Sequence, residues 1–130
     1  MKDLFITKRR YTPEIDFRAN GQLSIKGISL LENSYEVYSE AITWLKELRE
    51  QPLVEIKLSL KFVYVDTSSM RSLVDMIKML NEFGDVGFMV SIDWFYEEED
   101  HDHLDTGEAL QSIAKVPFNL LTIDIDDYEL

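Results

Sequence analysis

No cysteine occurs in the chain. That excludes disulfides, thiolate nucleophiles and cysteine-ligated zinc, and it suits a reducing compartment. No apolar run approaches the ~20 residues that span a bilayer, and the first residues contain no apolar leader core. Basic side chains are scarce: thirteen Lys and Arg stand against twenty-five Asp and Glu, for a net charge of −12. From residue 93 onward, twelve carboxylates are opposed by Lys115 alone. Affinity for nucleic acid comes from basic groups that neutralise phosphates, so DNA and RNA are disfavoured, as is an anionic membrane surface. The single basic run, Lys8-Arg9-Arg10, reads as a solvated N-terminal segment. Glycine and proline number only five and three in 130 residues. No linker, repeat or low-complexity tract divides the sequence, and this length suits one domain that buries about two thirds of its unfolded surface. The expectation is a cytoplasmic protein without nucleic-acid partners and without membrane insertion.

The hydrophobic pattern alternates between periods of 2 and 3.6. In "YTPEIDFRANGQLSIKGISL" (residues 11–30), Ile15 and Phe17, then Leu23 and Ile25, alternate with polar residues about Asn20-Gly21, a two-residue hairpin signal. Pro13 belongs at a strand end or edge. A helix is predicted over 33–50, with Asn33 and Glu36 as a capping box and Tyr35, Tyr38, Ile42, Leu45 and Leu48 on one face. A strand over Leu53–Val65 places Val54, Ile56, Leu58, Leu60, Phe62 and Tyr64 on one face; Lys57, Ser59 and Lys61 lie on a partly solvated one. Next come a helix over Ser69–Phe83 with a stripe of Met70, Leu73, Val74, Ile77 and Leu80, a strand over Phe88–Tyr96, and a helix over Leu104–Lys115. The segment "FNLLTIDI" is compatible with a short edge strand. The order predicts one small α/β domain: a mixed sheet opened by a hairpin, with right-handed crossover helices packed on it.

The junction in "FVYVDTSSMRSLVDMIKML" (residues 62–80) concentrates the functional question. A run of β-formers stops at Asp66-Thr67-Ser68-Ser69, and a helical pattern begins at once. Such residues cap helices by accepting from the unpaired N–H groups of the first turn. A cap needs only one of them, whereas four occur in a row. The alternative is a phosphorylation site at Thr67. A hydroxyl at the carboxyl end of a strand, just before a helix, is exposed at the sheet rim, and a phosphate there meets the positive helix terminus. Arg71, one turn later, is a candidate phosphate contact, while Asp66 opposes the added charge.

Other constellations are weaker. His101 and His103 among Asp100, Asp102 and Asp105 have ligating chemistry, and a small metal-dependent enzyme using this acidic stretch is one alternative. Alternating residues in a flexible acidic loop make a poor preformed cage, so a solvated loop at 97–105, without bound metal or cofactor, is expected. There is no glycine-rich phosphate loop, and no histidine lies near a plausible serine nucleophile. Trp44, Trp94, Phe95 and Tyr96 fit core packing and an interface equally well.

The Asp-Thr-Ser junction resembles the Asp-Ser-Ser junction of anti-sigma-factor-antagonist (STAS) domains, in which the residue after the aspartate is phosphorylated. Longer stretches, "YTPEIDF", "NGQLSIKGIS", "ENSYEVYSEAITWL", "DTSS", "DWFYEEEDHDHLDTGE" and "VPFNLL", resemble the SiaC-type regulatory phosphoproteins of bacteria over about residues 11–121. The family often has proline where this chain has Leu31, and asparagine where it has Asp66. The resemblance implies a STAS-like fold and a non-enzymatic partner-switching protein. It also implies that a protein kinase phosphorylates Thr67 and a PP2C-type phosphatase reverses this, with Ser68 and Ser69 as the local cap. The unphosphorylated form is then expected to bind and stimulate a diguanylate cyclase, raising cyclic di-GMP and favouring biofilm growth. A phosphorylation-independent scaffold of the same fold is the remaining alternative.

Overall fold

The computed structural model describes residues 1–52 and 55–128. Six strands form one sheet in sequence order: β1 (Leu4–Ile6), β2 (Glu14–Phe17), β3 (Gln22–Ser29), β4 (Glu55–Val65), β5 (Met89–Tyr96) and β6 (Phe118–Thr122). β1, β2 and β3 pair antiparallel, and β3 to β6 pair parallel. The crossovers are α1 (Tyr35–Leu48), α2 (Thr67–Asp85) and α3 (His101–Ile113). Right-handed connections between successive parallel neighbours put all three helices on one face. The result is a two-layer α/β structure, as the pattern of elements predicts.

The core lies between that face and the helices. Ile56, Leu58, Leu60 and Phe62 of β4 are fully buried against residues such as Leu45 of α1 and Leu73, Ile77 and Leu80 of α2. The opposite face carries Lys57, Ser59 and Lys61. There Lys57 Nζ lies 3.5 Å from Asp93, and the Lys61 ammonium sits over the Phe95 ring at 5.1 Å. No helix among the described residues is long and apolar enough to cross a membrane.

Several local expectations are corrected. β1 has no clear period-2 signal in its three residues, yet it pairs with β2 and forms the sheet edge. It is anchored where Trp44 Nε1 donates to the Lys2 carbonyl at 2.9 Å. The β2–β3 connection is longer than a two-residue turn: Phe17 pairs with Leu23, and the Arg18 N–H donates to the Gln22 carbonyl. Asn20-Gly21 supplies the end of that turn, with Gly21 at φ +93° and the Asn20 side chain accepting from the Gln22 N–H.

The N-cap of α1 is Ser34, not Asn33, and no Asn33–Glu36 box forms. Asn33 instead caps locally by accepting from the Tyr35 N–H. Tyr35 is 70% exposed, and Ala41 and Trp44 take core positions that the Tyr35 stripe did not include. On β4 the expected Leu53 and Val54 lie outside the described residues. Tyr64 does not share the core face, because β4 carries an extra residue after Phe62: Gly27 pairs with Phe62, and Ile28 with Tyr64. A bulge reverses the inside–outside alternation, and Tyr64 emerges 51% exposed. The stripe of α2 is also rotated: Met76 and Phe83 are fully buried, while Met70 and Val74 are only partly so. Helix α3 starts three residues earlier than expected, so the second half of the acidic stretch is helix rather than loop.

Candidate functional site: the carboxyl rim around Thr67

β4 ends at Val65, Asp66 is extended (φ −90°, ψ 175°), and Thr67 is the first residue of α2. β4 is an interior strand, so this junction lies at the middle of the sheet rim. The residue that caps α2 is Asp66. Its Oδ1 accepts from the Ser69 N–H at 2.8 Å, and its Oδ2 accepts from the Leu31 N–H at 2.7 Å. The Asp66 N–H in turn donates to the Ser29 carbonyl at 3.0 Å. One side chain therefore closes a helix and ties it to the β3–α1 connection. Partial burial works toward raising the Asp66 pKa. Hydrogen bonds from Ser69 and from the Leu31 N–H outweigh it and hold the carboxyl below its ordinary value.

Ser68 and Ser69, expected as the cap, sit inside the first turn, and their hydroxyls face other elements. Ser68 Oγ accepts from the Ser34 N–H at 3.1 Å. Ser34 Oγ donates to the Ser68 carbonyl at 2.6 Å and lies 2.6 Å from Ser72 Oγ. Ser69 is fully buried, with its Oγ 2.6 Å from Ser29 Oγ, which lies 2.7 Å from the Tyr38 hydroxyl. Burial pushes the Tyr38 phenol well above its usual range. These contacts lock β3, α1 and α2 together behind the rim.

Thr67 differs from its neighbours. It is exposed, and among the described residues its side chain has no hydrogen-bond partner. Of the first-turn donors of α2, Asp66 engages that of Ser69, and among the described residues those of Thr67 and Ser68 have no partner. An anion on the Thr67 oxygen thus meets free N–H groups and the positive end of a 19-residue helix. Arg71 is exposed one turn along, and among the described residues no ion pair occupies it. The structure ties Asp66, Ser68 and Ser69 each to β3 or to the β3–α1 connection, with the Thr67 side chain outside these bonds.

The acidic stretch is built differently from a loop cage. Asp100 is the N-cap of α3, its carboxylate accepting from the His103 N–H at 3.0 Å. His103 is 8% exposed, with its ring packed at a tilt of 31° on Trp94, 4.6 Å between centroids, and its buried Nε2 has no partner among the described residues. Burial lowers its pKa, against the opposing pull of Asp100 and the Phe95 carbonyl. His101 lies on the solvent side of the same helix. Among the described residues no group of three or more His, Asp or Glu side chains is arranged to hold a metal ion. Trp44 and Trp94 belong to the core. Among the described residues the exposed aromatics are others: Tyr35, Phe5, Tyr64 and Tyr11. The bulge exposes Tyr64 and the exact start of α1 exposes Tyr35, and neither has a clear sequence signal.

Comparison with known proteins is consistent across the chain. The family described as "SiaC family regulatory phosphoprotein" matches residues 6–123. An uncharacterised protein of Pseudomonas aeruginosa (strain UCBPP-PA14) is 31% identical over 126 residues, covering 95% of this chain and 99% of that protein. The solved structure of SiaC from Pseudomonas aeruginosa superposes with a TM-score of 0.87 at 29% identity, covering 95% of this chain and all of that one. SiaC as seen in the crystal structure of the diguanylate cyclase SiaD in complex with its activator SiaC gives a TM-score of 0.88 at 29% identity, over 93% of this chain and all of that one.

Proposed function

Because the chain belongs to the SiaC family of regulatory phosphoproteins, we propose that it is a phosphorylation-controlled partner switch acting on a diguanylate cyclase. In its unmodified form it binds the cyclase and stimulates it. A protein kinase phosphorylates Thr67, and a PP2C-type phosphatase restores the binding form. The chain itself carries out no chemistry, and it works in the cytoplasm, where kinase, ATP and cyclase meet.

The observation that carries this reading is the isolation of the Thr67 hydroxyl. It is free and exposed, while the hydroxyls of Ser68 and Ser69 are committed to structural bonds. It lies in a chain that superposes on an activator solved together with its cyclase. Phosphate on Thr67 acts by blocking a docking surface rather than by refolding the domain. The first turn of α2 and Arg71 accommodate the dianion, so the fold loses little stability. Both oxygens of the neighbouring Asp66 are already engaged by N–H groups, which softens its repulsion. A partner seated over the same rim must bury a dianion instead. An uncompensated buried charge costs several kcal/mol, and each ~1.4 kcal/mol is tenfold in affinity.

The test combines three measurements: intact mass after incubation with kinase and ATP, cyclase affinity of both phosphoforms, and thermal melting of both. Modification confined to Thr67, with weaker binding and near-equal melting, is the expected result. Equal affinities overturn the switch. A melting point lower by tens of degrees keeps the switch and replaces docking block by unfolding.

A further inference from the structure

The net charge of this chain is not spread over the rim that carries Thr67; it is divided by sign. The loop between β1 and β2 holds Lys8-Arg9-Arg10, all exposed. Because β2 runs antiparallel to β3, this loop returns to the carboxyl end of the parallel strands. There the Leu30 N–H donates to the Tyr11 carbonyl at 3.0 Å, and Leu31 is tied to Asp66. The three basic residues line a recess with Gly27 and Ile28, and Ile28 is the strand partner of Tyr64. At the other side of the same rim, β5 runs into Glu97–Asp102 and β6 into Asp124–Asp127. The two acidic segments adjoin: the hydroxyl of buried Tyr128 is pushed up to about 12 by burial and by Glu97 and Asp100. No Lys or Arg ion pair neutralises Glu97–Asp102 among the described residues.

Between the two halves lie exposed apolar groups: Leu30 (44%), Tyr35 (70%) and Tyr64 (51%). Exposed aromatics of this kind anchor interfaces. Among the described residues no ion pair joins Arg9 or Arg10 to Glu97–Asp102. From β2 to β5 is three strand spacings of about 4.8 Å, roughly 14 Å, which exceeds the Debye length of ~8 Å at physiological salt.

Resting on the reading that a cyclase docks at this rim, we infer that the rim is a two-signed docking surface. The cyclase patch that covers it carries acidic side chains opposite Lys8-Arg9-Arg10, basic side chains opposite Glu97–Asp102, and an apolar centre against Leu30, Tyr35 and Tyr64. Such a surface accepts its partner in one orientation only, because the half-turned arrangement sets like charges together. It also gives phosphorylation a second action. A dianion on Thr67 extends the negative half toward the apolar centre and moves the boundary between the signs.

The test uses the full chain, unphosphorylated, with the full-length diguanylate cyclase of the same organism. The triple variant Lys8→Glu/Arg9→Glu/Arg10→Glu and the double variant Glu98→Lys/Glu99→Lys each reverse one half without touching the Asp100 cap. Circular dichroism and melting verify that each remains folded. Affinity is expected to fall at least about tenfold for each variant at ~0.05 M NaCl, and the difference from wild type to shrink toward ~0.5 M. The control Lys115→Glu lies at the opposite end of the sheet and is expected to change affinity less than about twofold. A wild-type chain that binds no cyclase overturns the functional reading itself. A wild-type chain that binds, with both reversals within about twofold of it, overturns the two-signed surface and leaves that reading intact. Salt-sensitive self-association of the wild type, abolished by either reversal, assigns the surface to a second copy of the chain and likewise overturns the inference.

Discussion

The hydroxyls of Ser29 and Ser69 lie 2.6 Å apart, joining the end of β3 to the first turn of α2 within the core. Ser29 Oγ also meets the Tyr38 hydroxyl, and Ser69 Oγ donates to the Ser29 carbonyl at 3.1 Å. Replacing Ser69 by alanine removes two bonds in a buried place and leaves the Ser29 carbonyl one donor short. The expected loss is about 1–3 kcal/mol, read as a shift in the urea midpoint at unchanged m-value. Thr67→Ala, two residues away and exposed, is expected to stay within about 0.5 kcal/mol of wild type. Equal effects of the two changes would contradict the division between structural and free hydroxyls.

Asp66 closes α2 and holds Leu31 with the same carboxylate. Asp66→Ala is expected to destabilise by about 1–2 kcal/mol, the range of a lost N-cap. Its folded pKa is depressed, so its contribution is complete above the ordinary aspartate value of 3.8 and disappears as pH falls through the lower folded value. Stability of wild type and variant measured from pH 6 down to about 2 should therefore converge at the acid end. Parallel curves throughout would show that the carboxylate charge plays no part.

Gly107 lies within α3, where glycine is intrinsically worse than alanine by about 1 kcal/mol. Here alanine is excluded by close approach: a Cβ would stand 2.4 Å from Trp94 Cδ1 and 2.6 Å from Nε1. Trp94 is fully buried, with its Nε1 donating to the His103 carbonyl at 3.1 Å, so the indole has nowhere to move. Gly107→Ala is expected to destabilise by about 2–3 kcal/mol despite its better helix propensity. Thermal melting checks the sign; a stabilised variant would mean that α3 is free to lift from the sheet.

His103 makes an acid-side prediction of its own. Its pKa is lowered by burial from 6.5, so above that value both folded and unfolded forms are neutral and its effect is nil. Below it the unfolded chain takes up a proton that the folded chain resists. Stability then falls with pH until the folded pKa is reached, and Asp100 limits the drop. His103→Phe keeps a ring against Trp94 and removes the titration. The difference in unfolding free energy between the two should change between pH 7 and 5 and be constant above about 7. A constant difference at all pH values would mean that His103 is protonated as easily inside as outside.

The sheet and its three crossovers were legible because alternating strands and 3.6-period helices follow each other without interruption. The exposed position of Thr67 was legible for a related reason: the period changes within Asp66–Ser69, and a change of period leaves its residues at a strand end. Less was legible where a single residue count decides the geometry. Tyr64 continues the apolar alternation of Ile56 to Phe62, and only the unmatched residue opposite Gly27 and Ile28 turns it outward. Ser34, not Asn33, begins α1 because its hydroxyl and N–H are taken by Ser68. That pairing spans 34 residues, and no local pattern carries it.

The sequence by itself determined the order of elements, the apolar faces and the place of the Thr67 hydroxyl, because local periodicity and turn chemistry depend on neighbours along the chain. It also determined the imbalance of charge. Tertiary structure alone decided which of four adjacent polar residues lacks a partner among the described residues, since Asp66, Ser68 and Ser69 find theirs on β3 and in the connection that leads to α1. It likewise decided that Lys8-Arg9-Arg10 and the acidic segments flank the same rim. Antiparallel return of β2 and parallel pairing of β3 to β6 bring these distant stretches to one end of the sheet, and strand direction is a property of the assembled sheet rather than of any segment.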